Sequence, residues 1–287
     1  MATRRALVAT ALALLVGLLA PTAPAGAIRY DEPPQSPFEC DPHGDFGTPE
    51  RREGRFVALV YIHQVERCPG GSEMAYWVGR RQAGMTRLHL AEAVDRSPEA
   101  LDGVLPALFA RVGVERAPTT AELDRARARA ELRASRDLTR VTATVLGSDE
   151  VIAGYGRKSD AAATDDDADD VDPALRDEVW VGDMYGQLLG RTPDDAGVAY
   201  YTSTFGPGGS TAAQRTRVVT SMLRSAEFRR FWVELTYTSI LGRSAGPGEA
   251  AFWDGWLRGT GRNRTLLLRS LVLASDEAWR LTDPTTA

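Results

Sequence analysis

Lysine is almost missing from this chain: of its 34 basic residues only Lys158 is a lysine. Histidine is scarce as well, and His43, His63 and His89 all precede residue 90. No H-E-x-x-H, C-x-x-C or G-x-S-x-G stretch occurs, so the usual frames for a zinc site and for a hydrolase nucleophile are absent. His63 lies inside an apolar-periodic run and reads as a helix-face residue, not a ligand. An excess of basic charge is missing too, since the formal net charge is −5. Nucleic acid is therefore not expected as a partner, because phosphate contacts from a basic face supply most non-specific affinity. Cysteine is limited to Cys40 and Cys68, both in the N-terminal quarter.

Long apolar runs are absent except at the start. MATRR forms a short positive region, ALVATALALLVGLLA an apolar stretch, and PTAPAGA an A-x-A pattern with Ala25 and Ala27. This predicts a signal peptide over residues 1–27, with Ile28 opening the mature chain. The apolar run, at about 15 residues, is short for a membrane span. No cysteine follows the cleavage site for lipid attachment. The expectation is a secreted, extracellular protein, either released or held non-covalently at the cell surface, with no membrane span after cleavage. Leaving out Arg4 and Arg5 reduces the basic count from 34 to 32, against 39 acidic residues. In such a compartment an even cysteine count reads as a Cys40–Cys68 disulfide, which contributes on the order of 3 kcal/mol. One intermolecular bond per cysteine is the alternative.

Beyond a Pro-rich segment over 28–55, the stretch SDAAATDDDADDVD at 159–172 divides the chain. Seven of its fourteen residues are Asp, and such a run repels itself and reads as a linker, assigned to 157–177. A calcium loop is the rival reading, and the linker is preferred because the Gly and Glu positions such a loop needs hold Asp170 and Arg176.

Each half carries two units of about 50 residues, and such periods decide a fold. The units open on Tyr61, Phe109, Tyr185 and Tyr237 and carry Arg67, Arg116, Arg191 and Arg243 soon after. In three of them an aromatic pair follows: Tyr76-Trp77, Tyr200-Tyr201 and Phe252-Trp253. All four end in Ser-x-Glu, at Ser97, Ser148, Ser225 and Ser275. Ser there accepts from free helix N–H groups, and the Glu favours the positive dipole end. Gly190 and Gly242 fall where a left-handed residue ends a helix. Thr192 and Pro193 are expected to cap and open the next helix, which stops at GPGG over 206–209. A third helix brings Val218, Val219, Met222 and Leu223 to the core, and its counterpart Leu266, Leu267, Leu271 and Leu273. The predicted class is all-α: two similar helical modules over 56–156 and 178–282, each of two multi-helix repeats.

The pattern Tyr…Leu-Leu-Gly-Arg-x-Pro…Gly-x-x-Tyr-Tyr…Ser-x-Glu-Phe resembles the bacterial family called domain of unknown function 4214. That family is similar to the helical domain of phycobilisome linker polypeptides. The resemblance is clearest over 178–282, with a divergent copy over 56–155. There Glu66 stands where Gly is expected, and Arg125-Ala126 replaces the aromatic pair. The resemblance implies a secreted or surface-associated helical module without established chemistry.

The recurring carboxylates are accounted for by helix starts, and the recurring Arg67, Arg191 and Arg243 by helix ends or neighbouring carboxylates. Of the tryptophans, Trp77 and Trp253 repeat with the motif and are expected in the core, as is Tyr201. Trp180 and Trp256 fall outside the repeated pair and are the candidates for surface ligand contacts. The expected function is non-catalytic binding or scaffolding, with no cofactor and no metal. The expected partner is a cell-wall polymer or another exported protein. A cell-wall hydrolase using an acidic pair and a self-associating surface array are the alternatives.

Overall fold

Every Ser-x-Glu heads a helix. The side-chain oxygens of Ser97, Ser148, Ser225 and Ser275 accept from the N–H groups of Ala100, Val151, Phe228 and Ala278, at 3.1, 3.3, 3.0 and 3.1 Å. Each satisfies one of the donors that a helix start leaves open. The computed structural model describes residues 40, 49–101, 138–160, 172–206, 208–259 and 264–283. The stretch read as a signal peptide, most of the Pro-rich segment, Phe109, Arg116, Arg125, Ala126 and residues 161–171 lie outside them.

The described residues are helical and include no strand; the one β-bridge pairs Gly206 with Gly209 across the GPGG turn. The first repeat supplies α1 (Pro49–Val65), α2 (Gly71–Gln82) and α3 (Arg87–Asp95). The second supplies α4 (Thr139–Leu146) and α5 (Asp149–Asp160). In the third, α6 (Pro173–Met184) runs into a π-helical turn (Tyr185–Leu189), followed by α7 (Asp195–Thr202) and α8 (Ala212–Arg224). The fourth has α9 (Ala226–Leu241), α10 (Pro247–Gly259), α11 (Thr265–Leu273) and α12 (Asp276–Arg280).

Several boundaries differ from the sequence reading, each for a local reason. Both ends of the stretch assigned to a linker are helical. Asp172 caps α6 by accepting from Ala174 N–H at 2.9 Å, and Pro173 takes the first helical position. α7 starts two residues later than Thr192 and Pro193 suggest, because Asp194 is the cap and accepts from Gly197 N–H at 2.7 Å. In α11 the buried apolar residues are Leu266, Leu268, Val272 and Leu273, while Leu267 and Leu271 are half-buried. Thr265 and Ser270 take the remaining buried positions of that helix.

The described residues all fall in one compact unit. Within it, repeats pair across the two halves of the sequence. α3 packs on α11 and α4 on α8. One core joins Phe56, Val60, Leu90 and Val94 of the first repeat to Val233, Leu268, Val272 and Leu273 of the fourth. The other joins Val141, Val145 and Tyr155 of the second repeat to Trp180, Met184, Val218 and Met222 of the third. The two seams carry matching arginines, each ten residues ahead of its own repeat's Ser. Arg87 pairs with Asp276 and donates to Ser275 O at 3.3 Å; Arg215 pairs with Asp149 and donates to Gly147 O at 3.1 Å. Each therefore grips the head of the partner repeat's Ser-x-Glu helix. In the first seam Arg269 also reaches the buried Asp95 at 2.7 Å.

Candidate functional site

The turn after the first helix of the first, third and fourth repeats places a polar cluster of similar design. In the first repeat the Arg67 guanidinium spans two carboxylates. Its Nε and Nη2 donate to Glu99 at 2.7 Å each, and Nη1 and Nη2 to Glu73 at 2.8 and 2.9 Å. In the fourth, Arg243 binds Glu277 at 2.6 Å twice and Glu249 at 2.8 and 2.9 Å. In the third, Arg191 binds both oxygens of Glu227. Gly197 stands where the other repeats carry Glu73 and Glu249, and a Cβ there would fall 2.4 Å from the Tyr185 hydroxyl. Glu99, Glu227 and Glu277 thus each tie the head of one helix to the end of another. Paired guanidinium–carboxylate bonds of this kind fix orientation as well as distance.

Beneath each Arg lies the Tyr that opens the repeat. The guanidinium carbon sits 5.3 Å from the Tyr61 ring, 4.8 Å from Tyr185 and 5.2 Å from Tyr237, within cation–π range. Trp77 Nε1 donates to Tyr61 at 2.9 Å and Trp253 Nε1 to Tyr237 at 2.8 Å. In the third repeat Tyr201 meets Tyr185 edge-on at 6.1 Å. Arg67 holds the Glu73 carboxyl down at about 2, and Arg243, helped by the Gly246 N–H, does the same for Glu249. Arg243 also lowers Glu277, and burial raises the three tyrosines.

Each cluster presents one ring to solvent. Tyr76, Tyr200 and Phe252 are 57%, 67% and 62% exposed, and each stands edge-on against its inner neighbour at 4.9, 5.0 and 4.9 Å. Trp77, Tyr201 and Trp253 are half-buried and pack against the cores. Within the pair, the first ring faces out and the second inward.

Trp180 is the clear correction among the predicted ligand contacts. It is fully buried at 0% exposure, and its Nε1 donates to Leu146 O at 3.2 Å, so it joins the third repeat to the second. Trp256 is half-buried and meets Trp253 edge-on at 5.6 Å. Gly190 and Gly242 adopt the left-handed conformation predicted for them, with φ of 70° and 67°. Glu66, where Gly was expected, adopts it as well at φ 60°. Cys40 and Cys68 form a disulfide with a Cα–Cα distance of 5.4 Å, beside Arg67, which donates to Cys68 O at 2.8 Å.

Glu73 and Glu249 escaped the sequence reading. Their signal was the Gly-x-x-Glu spacing at Gly70 and Gly246, whose N–H groups each bond the Glu three residues on at 2.7 Å. Among the described residues no group of three or more His, Cys, Asp or Glu could hold a metal, and no helix is long and apolar enough to cross a membrane.

Residues 168–232 match the family described as "Domain of unknown function (DUF4214)". The match takes in α6, α7, α8 and the first part of α9, which is the third repeat with its Arg191–Glu227 pair. No curated protein and no solved structure matches the chain.

Proposed function

We propose that this chain is a secreted, non-catalytic helical module that binds or scaffolds at the bacterial cell surface. Its partner in this reading is a cell-wall polymer or another exported protein. The carrying observation is the threefold repetition of one exposed ring, at Tyr76, Tyr200 and Phe252, on a frame whose charges are already paired. An aromatic left outside the core three times at one register offers a flat apolar face without structural need for it. The recurring carboxylates point the same way. Each described one with a resolved shift is lowered by its Arg, the opposite of the raised value that a general acid requires. The Cys40–Cys68 disulfide accords with an oxidising compartment.

The test is co-sedimentation of the purified chain with intact cell-wall sacculi, with soluble sugars assayed in the same tube. The expected result is pelleting without sugar release, reduced at least tenfold when Tyr76, Tyr200 and Phe252 are all changed to Ala. Sugar release would replace this reading with a hydrolase. Failure to pellet would remove the wall polymer and leave another exported protein as the partner.

A further inference from the structure

One seam of the repeat stands open where its two equivalents are tied shut. Eight residues before the opening Tyr, the first, third and fourth repeats carry Glu53, Asp177 and Arg229. Glu53 reaches across to Arg81 of α2 at 2.8 Å, and Arg229 reaches Asp254 of α10 at 2.7 Å. Each pair laces a repeat's first helix to its second. Asp177 instead turns away, accepting from the N–H and hydroxyl of Ser210 at 2.6 Å each. α6 and α7 are left unlaced, and between them lies a cleft of about 450 Å³. A second cleft of about 360 Å³ shares Glu178, Ala199 and Thr202 with it, so the two make one groove along the helix pair.

The groove is apolar where solvent would favour polar side chains. Leu175 and Val179, one helical turn apart, are 49% and 37% exposed. The first repeat has Arg51 and Arg55 at the matching positions. Pro193 and Val198 continue the lining on the α7 side. Glu178 and Asp195 in the lining are exposed acids, and Asp172 and Asp194, also exposed, cap the two helices that flank it. The two nearby arginines already have carboxylate partners, Arg176 with Asp177 and Arg191 with Glu227.

We propose that this groove receives a cationic amphipathic helix from a partner protein. Its aliphatic stripe would lie on Leu175, Val179 and Val198, and its Arg or Lys side chains would meet Glu178 and the flanking Asp residues. Charge complementarity selects the sign of the partner. Its conformation follows from the backbone: no strand edge borders the groove among the described residues, so an extended peptide would find no ladder, whereas a helix arrives with its backbone already paired. The inference rests on the reading of the chain as a binding module and names the chemistry of one partner surface.

The test titrates the full chain into a labelled synthetic helix with leucines at i, i+4 spacing and arginines on the flanks, followed by fluorescence anisotropy. A second peptide carries Glu in place of every Arg. The expected result is saturable binding of the Arg peptide, at least tenfold weaker for the Glu peptide. Glu178→Lys weakens it about tenfold, and Ala199→Leu, which fills the groove, abolishes it. Both substitutions lie at exposed positions, and circular dichroism checks that the fold is kept. Equal binding of both peptides, unchanged binding by both variants, or no binding overturns the proposal. So does concentration-dependent dimerisation that the Arg peptide does not compete, which would make a second copy the occupant. Peptide failure with intact sacculus pelleting sinks the groove alone, and the reverse result sinks the cell-wall reading alone.

Discussion

Gly190 and Gly242 share a backbone conformation but not their surroundings, which separates two costs usually seen together. A Cβ at Gly190 would lie 2.4 Å from Phe231 Cε2, whereas one at Gly242 meets nothing within 4 Å. Gly242→Ala is expected to cost about 1 kcal/mol from left-handed strain alone, and Gly190→Ala about 2–3 kcal/mol because the Phe231 ring must also move. Urea unfolding midpoints of the two variants check that order. Glu66 bears the same strain at φ 60°, so Glu66→Gly should gain up to about 1 kcal/mol in the same measurement. His63 is the other residue with a directional consequence. Burial, and then the Arg269 charge, push its pKa down to about 4. A folded pKa below the unfolded one favours the neutral ring, so its contribution is complete above about pH 6.5 and is lost as pH falls towards 4. The size is at most about 3 kcal/mol. Thermal melts across that window should show the loss, and His63→Leu should flatten it. Glu73 and Glu249, held at about 2, add a second loss only below the ordinary carboxylate range. Glycine caps and the helix-face histidine were legible because each depends on its immediate neighbours. The Phe231 contact was not, because it crosses between two repeats.

At the level of helices, the Arg clasps form a graded series. Arg243 holds two carboxylates, one on α10 and one on α12, while Arg191 holds Glu227 bidentately, with Asp194 only at the edge of reach at 3.9 Å. Arg243→Met should therefore lower the melting temperature more than Arg191→Met does. It should also speed amide exchange at Trp279 and Leu281, whose N–H groups bond Ser275 O and Glu277 O, while the interior of α9 stays protected. Equal effects from the two substitutions would mean that the second carboxylate adds nothing. The helix heads were readable in advance, since Ser-x-Glu carries its own mechanism. The clasps were only half readable. Recurrence marked both the Arg and the Glu, but the bonds join residues 32, 36 and 34 apart, and spacing alone does not state that a helix end folds back onto the head of the Ser-x-Glu helix that closes its repeat. Trp180 was misplaced for the converse reason. It stands outside the repeated motif, yet it faces the second repeat across a seam that the pattern along the chain does not reveal.

For the molecule as a whole, all-α content and the 50-residue period followed from composition and repetition, but the pairing of repeats did not. The described helices of all four repeats present apolar faces, so period alone allows adjacent or crossed pairing. What favours the crossed arrangement is sparse: Arg87 reaching the fourth repeat, Arg215 reaching the second, and Arg269 bonding Asp95 across 174 positions. The stretch that matches the family, 168–232, does not cover its own apolar face here, because its α8 packs against α4. Residues 172–287 expressed alone would leave Val218, Met222, Leu268 and Val272 without the helices that cover them. Four aliphatic side chains at about 2 kcal/mol each amount to much of the roughly 5–15 kcal/mol that holds a domain together. The isolated fragment is expected to lack a cooperative thermal transition and to bind a hydrophobic dye. Mixing it with residues 34–160 should restore both the transition and a 1:1 mass by light scattering. Asp95→Ala in the partner fragment should weaken that association, since it leaves Arg269 unpaired at the seam. A fragment 172–287 that melts cooperatively by itself would show instead that the third and fourth repeats pair with each other when the first half is absent, and that the crossed arrangement is one of two packings open to the same sequence.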